Sequence, residues 1–358
     1  MASHILIKRE HAAALCQGVF EALELPAEHA RAVSEGLVWA SMRGIDSHGL
    51  IRLASYVRRL DQGVVNPKPK MRVSKDLPGA MIVEGDHGHG QVTLTWAMER
   101  AIEKARNAAI GWVLVRESKH AGAVGYYTRM AAEAGMAGLY LGASQPNMEY
   151  FGSRVEGVAT NPIAISVPGK DGRILSLDMA TAVAGVGRLM HHKATNETLA
   201  DGWALDAEGN PTIDPQKAEI PTALGGPKGS SMSLLFECMT SLMVASPLVS
   251  RWHNGSYRRH QQNGLVTAVN IADFTDLEEY KTDVEALITE IKKLPKADGV
   301  EEILVPGERS DRIMAERKRL GIPVPIKTWL QVCEVAERFA VKIPEVKDFD
   351  GQGSAVTF

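Results

Sequence analysis

The sequence predicts an α/β (α+β) fold, in which a helical N-terminal segment precedes a mixed central sheet. Three observations carry this reading. From Lys8 to about Gly63 apolar residues recur at helical spacing. Beyond Pro69 short apolar runs, separated by glycines, alternate with helical stretches. No internal repeat or low-complexity tract breaks the pattern. The expected organisation is a helical segment at 1–73, a central α/β domain at 74–312, and a C-terminal helical segment at 313–358 that packs back on the N-terminal part.

The first helix is expected from Lys8 to near Leu25. Pro26 opens a second, because its fixed φ suits a first helical turn, and Val33, Leu37 and Ala40 mark the inner face. "RGIDSHG" at 43–49 interrupts it, and a third helix is expected over 47–60, capped by Asp46 or Ser47. Its apolar stripe is Leu50, Leu53, Ala54, Val57 and Leu60, and "DQGVVNPKPK" ends it. "GAMIVEG" and "GWVLVRES" read as strands flanking a helix at 92–108, and "MAGLYLGAS", "NPIAISVP" and "GRILSLDMA" as further strands. "GWALDAEGNPTIDP" reads as two short extended pieces round a turn in which Gly209 and Asn210 take unusual dihedrals. Helix returns at 229–249, "NGLVTAVNIADF" is a strand, and 276–293 is an amphipathic helix. "GERSDRIMAERKRLGIPVP" is a helix stopped by Gly321 and Pro323.

Composition narrows the function. A net charge of −3 with interspersed signs, and no basic stripe or aromatic platform, argues against nucleic acid or an anionic membrane as partner. Cys16, Cys238 and Cys333 are too few and too scattered for a disulfide framework or a zinc knuckle, which fits a reducing cytoplasm. "MASHILIKRE" has no apolar leader core, and the most apolar stretch, 231–249, contains Glu237 and several hydroxyls, so it reads as a buried helix and not a membrane span.

A nucleotide loop is the natural first search. Gly85, Gly88 and Gly90 lie between a strand and a helix, but as G-x-x-G-x-G and not the dinucleotide-binding G-x-G-x-x-G, so a plain glycine-rich turn is the better reading. Walker, zinc-helix and nucleophile-elbow motifs are missing, and His191 and His192, adjacent in sequence, make a poor metal pair; no metal is expected. "RGIDSHGLIRL" is more informative. In a helix over 47–60, His48, Arg52, Ser55 and Arg59 share one arc opposite the apolar stripe, and that face suits an anion: guanidinium forks onto carboxylate and imidazole titrates near neutral pH. A solvated helix face is the competing reading. "ESKHAGAVGYY" puts Ser118, Lys119 and His120 at the carboxyl end of a strand, where α/β proteins assemble sites, or else makes His120 a helix cap. "TNPIAISVP" turns at Asn161 and Pro162, "LDMATAVAGVGR" runs from Asp178 into a small-residue helix start, and "LGGPKGSSMS" puts Lys228 in a glycine-rich loop before a helix.

Taken together, these segments resemble the type-2 malate/L-lactate dehydrogenase family, which takes in ureidoglycolate and sulfolactate dehydrogenases, diketogulonate reductases and piperideine-2-carboxylate reductases. The likeness runs in family order from about residue 10 to 330. It implies hydride transfer between NAD or NADP, NAD ahead of NADP, and a small 2-hydroxy or 2-oxo acid. It also implies a non-Rossmann NAD(P)-binding fold with a largely antiparallel sheet, and a homodimer with sites near the subunit interface. His48 and His120 match positions given an acid/base role, with His120 ahead as proton carrier. Arg52 is assigned the substrate carboxylate on chemical grounds, and Ser47, Tyr127 and Thr160 complete the candidate substrate-binding set. Ser144, Asp178, Met179, Ala180, Lys228, Gly229 and the loop Pro306, Gly307, Glu308 are the candidate cofactor contacts.

The sequence departs from the family pattern at Ala159, Arg188, Ser231 and the loop "QPNMEYFGSRVEG". Arg188, Lys193 and Arg309 are equal candidates to bind a 2′-phosphate. Two alternatives stand beside the main reading. One is a cyclic imine reductase, against which Ala121 weighs, since imine reductases of the family tend to carry histidine there. The other is a cofactor-binding protein without turnover.

Overall fold

In the computed structural model residues 3–256 and 260–349 are described, except for the side chains at 191, 194 and 195. The chain forms two compact units, one made of the residues up to Pro69 together with those from Leu304 onward, the other of Lys70–Ile303. A cut at 313 would fall inside the helix Glu308–Leu320, which belongs whole to the first unit.

In the first unit helices Arg9–Ala22 and Ala27–Met42 pack together, and Val33, Leu37 and Ala40 are buried as their spacing predicts. A small antiparallel sheet has His4–Ile7 between Ile322–Pro325 and Lys347–Phe349, so the C-terminal stretch contributes strands as well as the helices Glu308–Leu320 and Ile326–Arg338. Strands of three or four residues leave too short a period to read from sequence.

The expected helix over 47–60 is broken. Asp46–His48 and Leu50–Arg52 are separate 3-10 turns and the α-helix is Leu53–Asp61. The break has a local cause. Ser41 Oγ accepts from the Leu50 amide at 3.0 Å, and a Cβ on Gly49 would lie 2.0 Å from that oxygen, so only glycine lets the chain pass. Neither Asp46 nor Ser47 caps the helix; Arg52 occupies that position with no side-chain cap, and Asp46 pairs with Arg317 instead. Leu50, Leu53 and Val57 of the stripe are buried, Ala54 and Leu60 half-buried.

The second unit is built on a seven-stranded sheet. Its spatial order is Arg72–Leu77, Ala80–Glu84, Ile110–Ser118, Gln262–Asn270, Met136–Ser144, Ile163–Pro168, Ile174–Met179. Ala80–Glu84 and Ile110–Ser118, joined through helix Gly90–Ala108, run parallel; every other neighbouring pair is antiparallel. Alternation sends Val113, Val115 and Val266 to one face, where they pack with Leu94, Met98 and Tyr127. Leu114, Leu141 and Leu265 point to the other, against Phe236 and Val244. Arg72–Leu77 carries no buried residue, so the sequence has no alternation there to announce it.

Three smaller differences matter. The helix at 229–249 is an α-helix Pro227–Glu237 that runs into a π-helical turn Cys238–Leu242. It is one-sided, not buried: Leu235 is 59% exposed, while Glu237 is buried and accepts from the amides of Leu248 and Val249. Between Ala204–Leu205 and Pro211–Thr212, Gly209 and not Asn210 has the positive φ, with Asp206 Oδ1 accepting from the amides of Glu208 and Asn210. Among the described residues no helix is long and apolar enough to cross a membrane.

Candidate functional site

Register decides what meets in the second unit. Gln262 pairs with both Ser118 and Ser144, Leu141 with Ile163, and Ile163 with Met179. The ends Ser118, Ser144 and Met179 and the starts Gln262 and Ile163 therefore lie at one end of the sheet, as does Glu84 through the parallel pair. The segments that leave this end are those quoted from the sequence: Lys119–His120, Thr160–Asn161 and Asp178–Ala180.

The loop carrying His120 is held on several sides. Glu117 takes a positive φ of 57°, and the pairing register slips between Gln262 and Gly264, a bulge that turns the strand end. The Glu117 amide donates to Asn263 Oδ1, and buried Asn263 is held in turn by Ser241 and Ser246. The glycine-rich stretch lies alongside: Gly85 N donates to Arg116 O, His87 N to Glu117 O, and Lys119 N to Gly88 O. A Cβ on Gly90 would lie 2.5 Å from His120 O, so that glycine makes room for the backbone of His120. Ala121 N donates to Gln262 Oε1 at 3.0 Å. Half-buried His120 is thus the side chain presented by a fixed backbone.

Tyr127 differs from its expected role. It is 1% exposed in the core and its hydroxyl donates to Ala121 O at 2.5 Å, so it braces the loop from beneath, a position that gives no surface for substrate.

The cofactor candidates of this unit lie around the same end. Ser144 N donates to Asn161 Oδ1, and buried Asn161 donates through Nδ2 to Ser233 O and Oγ, while Ser233 Oγ donates to Ala159 O. Thr160 N donates to Asn147 Oδ1 at 2.9 Å. Exposed Asp178 accepts from the amide of Gly125 at 2.7 Å, at the start of helix Gly125–Glu133. Half-buried Met179 and Ala180 lead to Thr181, whose carbonyl accepts from Leu224 N, and Leu224 O accepts from the amide of buried Gly229. Exposed Lys228 stands in the first turn of Pro227–Glu237. Asn161 showed in the sequence as a turn before proline; Asn147, Gln262 and Asn263 carried no signal, since a hydrogen-bonding amide has no periodicity.

The first unit holds the other set. Ser47 Oγ and His48 Nδ1 are hydrogen-bonded at 2.9 Å, and Arg52 Nε donates to Ser47 O at 2.6 Å. Burial, and then the Arg52 guanidinium, hold the His48 imidazole down to about 4, so it is neutral at pH 7. Arg59 is also lowered, by burial first and by Arg52 against the opposing influence of Tyr56. The sequence arc through His48, Arg52 and Arg59 thus survives as an electrostatic cluster although the helix beneath it is broken. Pro306 is exposed, Gly307 (φ 89°) is the N-cap of Glu308–Leu320, and Glu308 accepts from Val305 N and Arg312, closing its own loop. Arg43 ties this loop to the turn, donating to Gly307 O at 3.5 Å. Among the described residues no three His, Cys, Asp or Glu side chains converge as metal ligands; the side chain of His191 lies outside those residues.

Comparison with known proteins gives these segments a context. A family model described as "Malate/L-lactate dehydrogenase" matches residues 7–333. The chain is 34% identical over 354 residues to a malate dehydrogenase of Pyrococcus abyssi, covering 96% of this chain and 98% of that one. It is 34% identical over 346 residues to an L-sulfolactate dehydrogenase of Methanocaldococcus jannaschii, covering 95% and 99%. The solved malate dehydrogenase of Pyrococcus horikoshii superposes with a TM-score of 0.86 at 33% identity, over 95% of this chain and 97% of that one.

Proposed function

The chain belongs to the malate/L-lactate dehydrogenase family, and from that premise we propose that it interconverts a small 2-oxo acid and its 2-hydroxy acid by histidine acid/base catalysis. The protein is an oxidoreductase of the 2-hydroxy acid dehydrogenase class, which requires a nicotinamide cofactor. The observation that carries the finer reading is the neutral His48, bonded to Ser47, beside Arg52 and Arg59. Malate and sulfolactate, the substrates in the relatives' names, share a carboxylate next to a carbinol carbon, and this cluster matches that pair of groups.

In this reading Arg52, with Nε anchored on Ser47 O, turns its terminal nitrogens to the carboxylate. His48, neutral, hydrogen-bonds the ketone oxygen, and His120 delivers the proton as the carbon is reduced. Thr160 contributes its hydroxyl to substrate binding. The donors present fit a dinucleotide. The Lys228 ammonium suits its diphosphate, with Ser144, Asp178, Met179, Ala180, Gly229 and the loop Pro306 to Glu308 as further contacts. The bound nicotinamide supplies or accepts the hydride. NAD is proposed ahead of NADP, and Arg188, Lys193 and Arg309 are the cations that a 2′-phosphate could use instead. We also infer a cytoplasmic homodimer; three free thiols fit a reducing compartment, and light scattering on the intact protein tests the dimer.

The test is consumption of NADH or NADPH with a panel of 2-oxo acids that includes oxaloacetate, with piperideine-2-carboxylate as comparison. Turnover of a 2-oxo acid well above that of the imine supports the proposal. The reverse order favours the imine reductase, and cofactor binding without any turnover favours the silent protein.

A further inference from the structure

We propose that Arg317, on helix Glu308–Leu320, is a positioning residue for the His48 turn, and that two crossed ion pairs between that helix and "RGID" fix the turn in place. The proposal rests on the role given to His48 above and goes beyond it by naming what holds His48.

The His48 turn is held from within only by short-range bonds, among them His48 N to Ile45 O, Arg52 N to Gly49 O and Arg52 Nε to Ser47 O. It lies between a helix that ends at Met42 and one that begins at Leu53, in two 3-10 turns separated at Gly49. Arg317 joins the end of the first helix to the first of these turns. Its Nη1 donates to Ser41 O, and the same guanidinium forks onto Asp46, Nη1 to Oδ1 at 2.6 Å and Nη2 to Oδ2 at 3.0 Å. Ser41 is the residue whose Oγ receives the Leu50 amide, and Asp46 opens the turn, its carbonyl accepting from Gly49 N at 3.1 Å. One planar cation therefore joins the seat of the turn to its first residue, a geometry that a lysine reproduces only in part.

The second pair is reversed in sense. Arg43, whose side chain is 3% exposed, donates to Asp311 at 2.5 Å, and its other Nη reaches Gly307 O. Motif cation meets helix anion at one point, and motif anion meets helix cation at the other. A helix displaced along its axis toward Arg43 would bring Arg317 against that like charge, so the crossed pairs specify one register of helix against turn. Both pairs sit on the helix that Gly307 caps, so the loop proposed to touch the cofactor and the turn proposed to touch the substrate share one rigid support.

Arg338 supplies the control. It forks onto Asp61 at 2.6 and 2.8 Å in the same unit, the same chemistry with no candidate functional turn attached. We compare Arg317→Ala, Arg317→Lys, Arg338→Ala and His48→Ala in the full-length protein. The two readouts are kinetics on the 2-oxo acid that the wild type reduces fastest and amide exchange over residues 44–52. Arg317→Ala is expected to lower kcat about 10-fold or more, with the KM for NADH changed less than about 3-fold, and to speed exchange at Leu50 while helix Leu53–Asp61 keeps its protection. Arg317→Lys should recover part of both, and Arg338→Ala should leave kcat unchanged. Should Arg317→Ala not fold, Asp46→Asn removes the same pair at constant volume and is read in the same way. Wild-type kcat and exchange in Arg317→Ala overturn the proposal. Wild-type kcat in His48→Ala overturns the role of His48, and the exchange rates still decide whether Arg317 holds the turn.

Discussion

His48 is neutral in the folded chain because its imidazole is enclosed and faces Arg52, which pushes its pKa from 6.5 to about 4. The sign of the linkage follows. Between those two values the unfolded chain binds more protons at His48 than the folded one, so the contribution of the neutral imidazole to stability falls as pH drops from 6.5 toward 4 and is constant above. Urea unfolding of wild type and His48→Gln should therefore show a stability difference that shifts against the wild type at pH 5 relative to pH 7; a pH-independent difference would exclude the depressed imidazole. Arg52 is testable separately. Charged hydrogen bonds of its kind contribute about 1.5–3 kcal/mol, so Arg52→Ala should raise the KM for the 2-oxo acid by about 10- to 100-fold, and Arg52→Lys should recover only part. At this scale the sequence was informative for the charged and titrating residues, whose types announce their chemistry. Tyr127 was misjudged because a tyrosine near a histidine looks the same whether its hydroxyl meets a ligand or the carbonyl of Ala121.

Longer elements with a buried face were legible, whereas an exposed edge and strands of three or four residues were not. Met136–Ser144 and Ile163–Pro168 follow their apolar runs, and helix Leu277–Lys292 starts where Asp276 accepts from the amides of Glu278 and Glu279. The edge strand Arg72–Leu77 is exposed along its length, and the third helix loses its first turn to Ser41, a residue that packing alone brings to Gly49. The glycine-rich stretch at 85–90 is the clearest case of a motif whose purpose needed coordinates. Its last glycine makes room for the backbone of His120. Gly90→Ala should therefore cost about 1–3 kcal/mol in urea unfolding and lower kcat as well, since backbone meets backbone there and neither can rotate away. An alanine variant with wild-type stability and turnover would show that the loop yields freely.

For the molecule as a whole, the resemblance identified the residues and the sheet explains their grouping. Ser144, Asn161, Asp178 and His120 are far apart in sequence and share one end of the sheet because the late strand Gln262–Asn270 is inserted between Ile110–Ser118 and Met136–Ser144. No periodicity could foretell that insertion, since pairing partners are set by the assembled core. A dinucleotide that binds only the folded chain should stabilise it by about 2.7 kcal/mol at a hundredfold excess over its Kd. Thermal unfolding with NADH and with NADPH measures this, and the larger rise in Tm is expected with NADH.

In the proposed reaction this chain reduces a 2-oxo acid with a proton from His120. Turnover of a 2-oxo acid panel with each reduced nicotinamide, run side by side on wild type and a folded His120→Ala variant, measures that step. The wild type should reduce at least one 2-oxo acid, at a rate about 100- to 10,000-fold above that of the variant. No turnover above background by the wild type with either cofactor, or equal rates in the two proteins, would rule the proposal out.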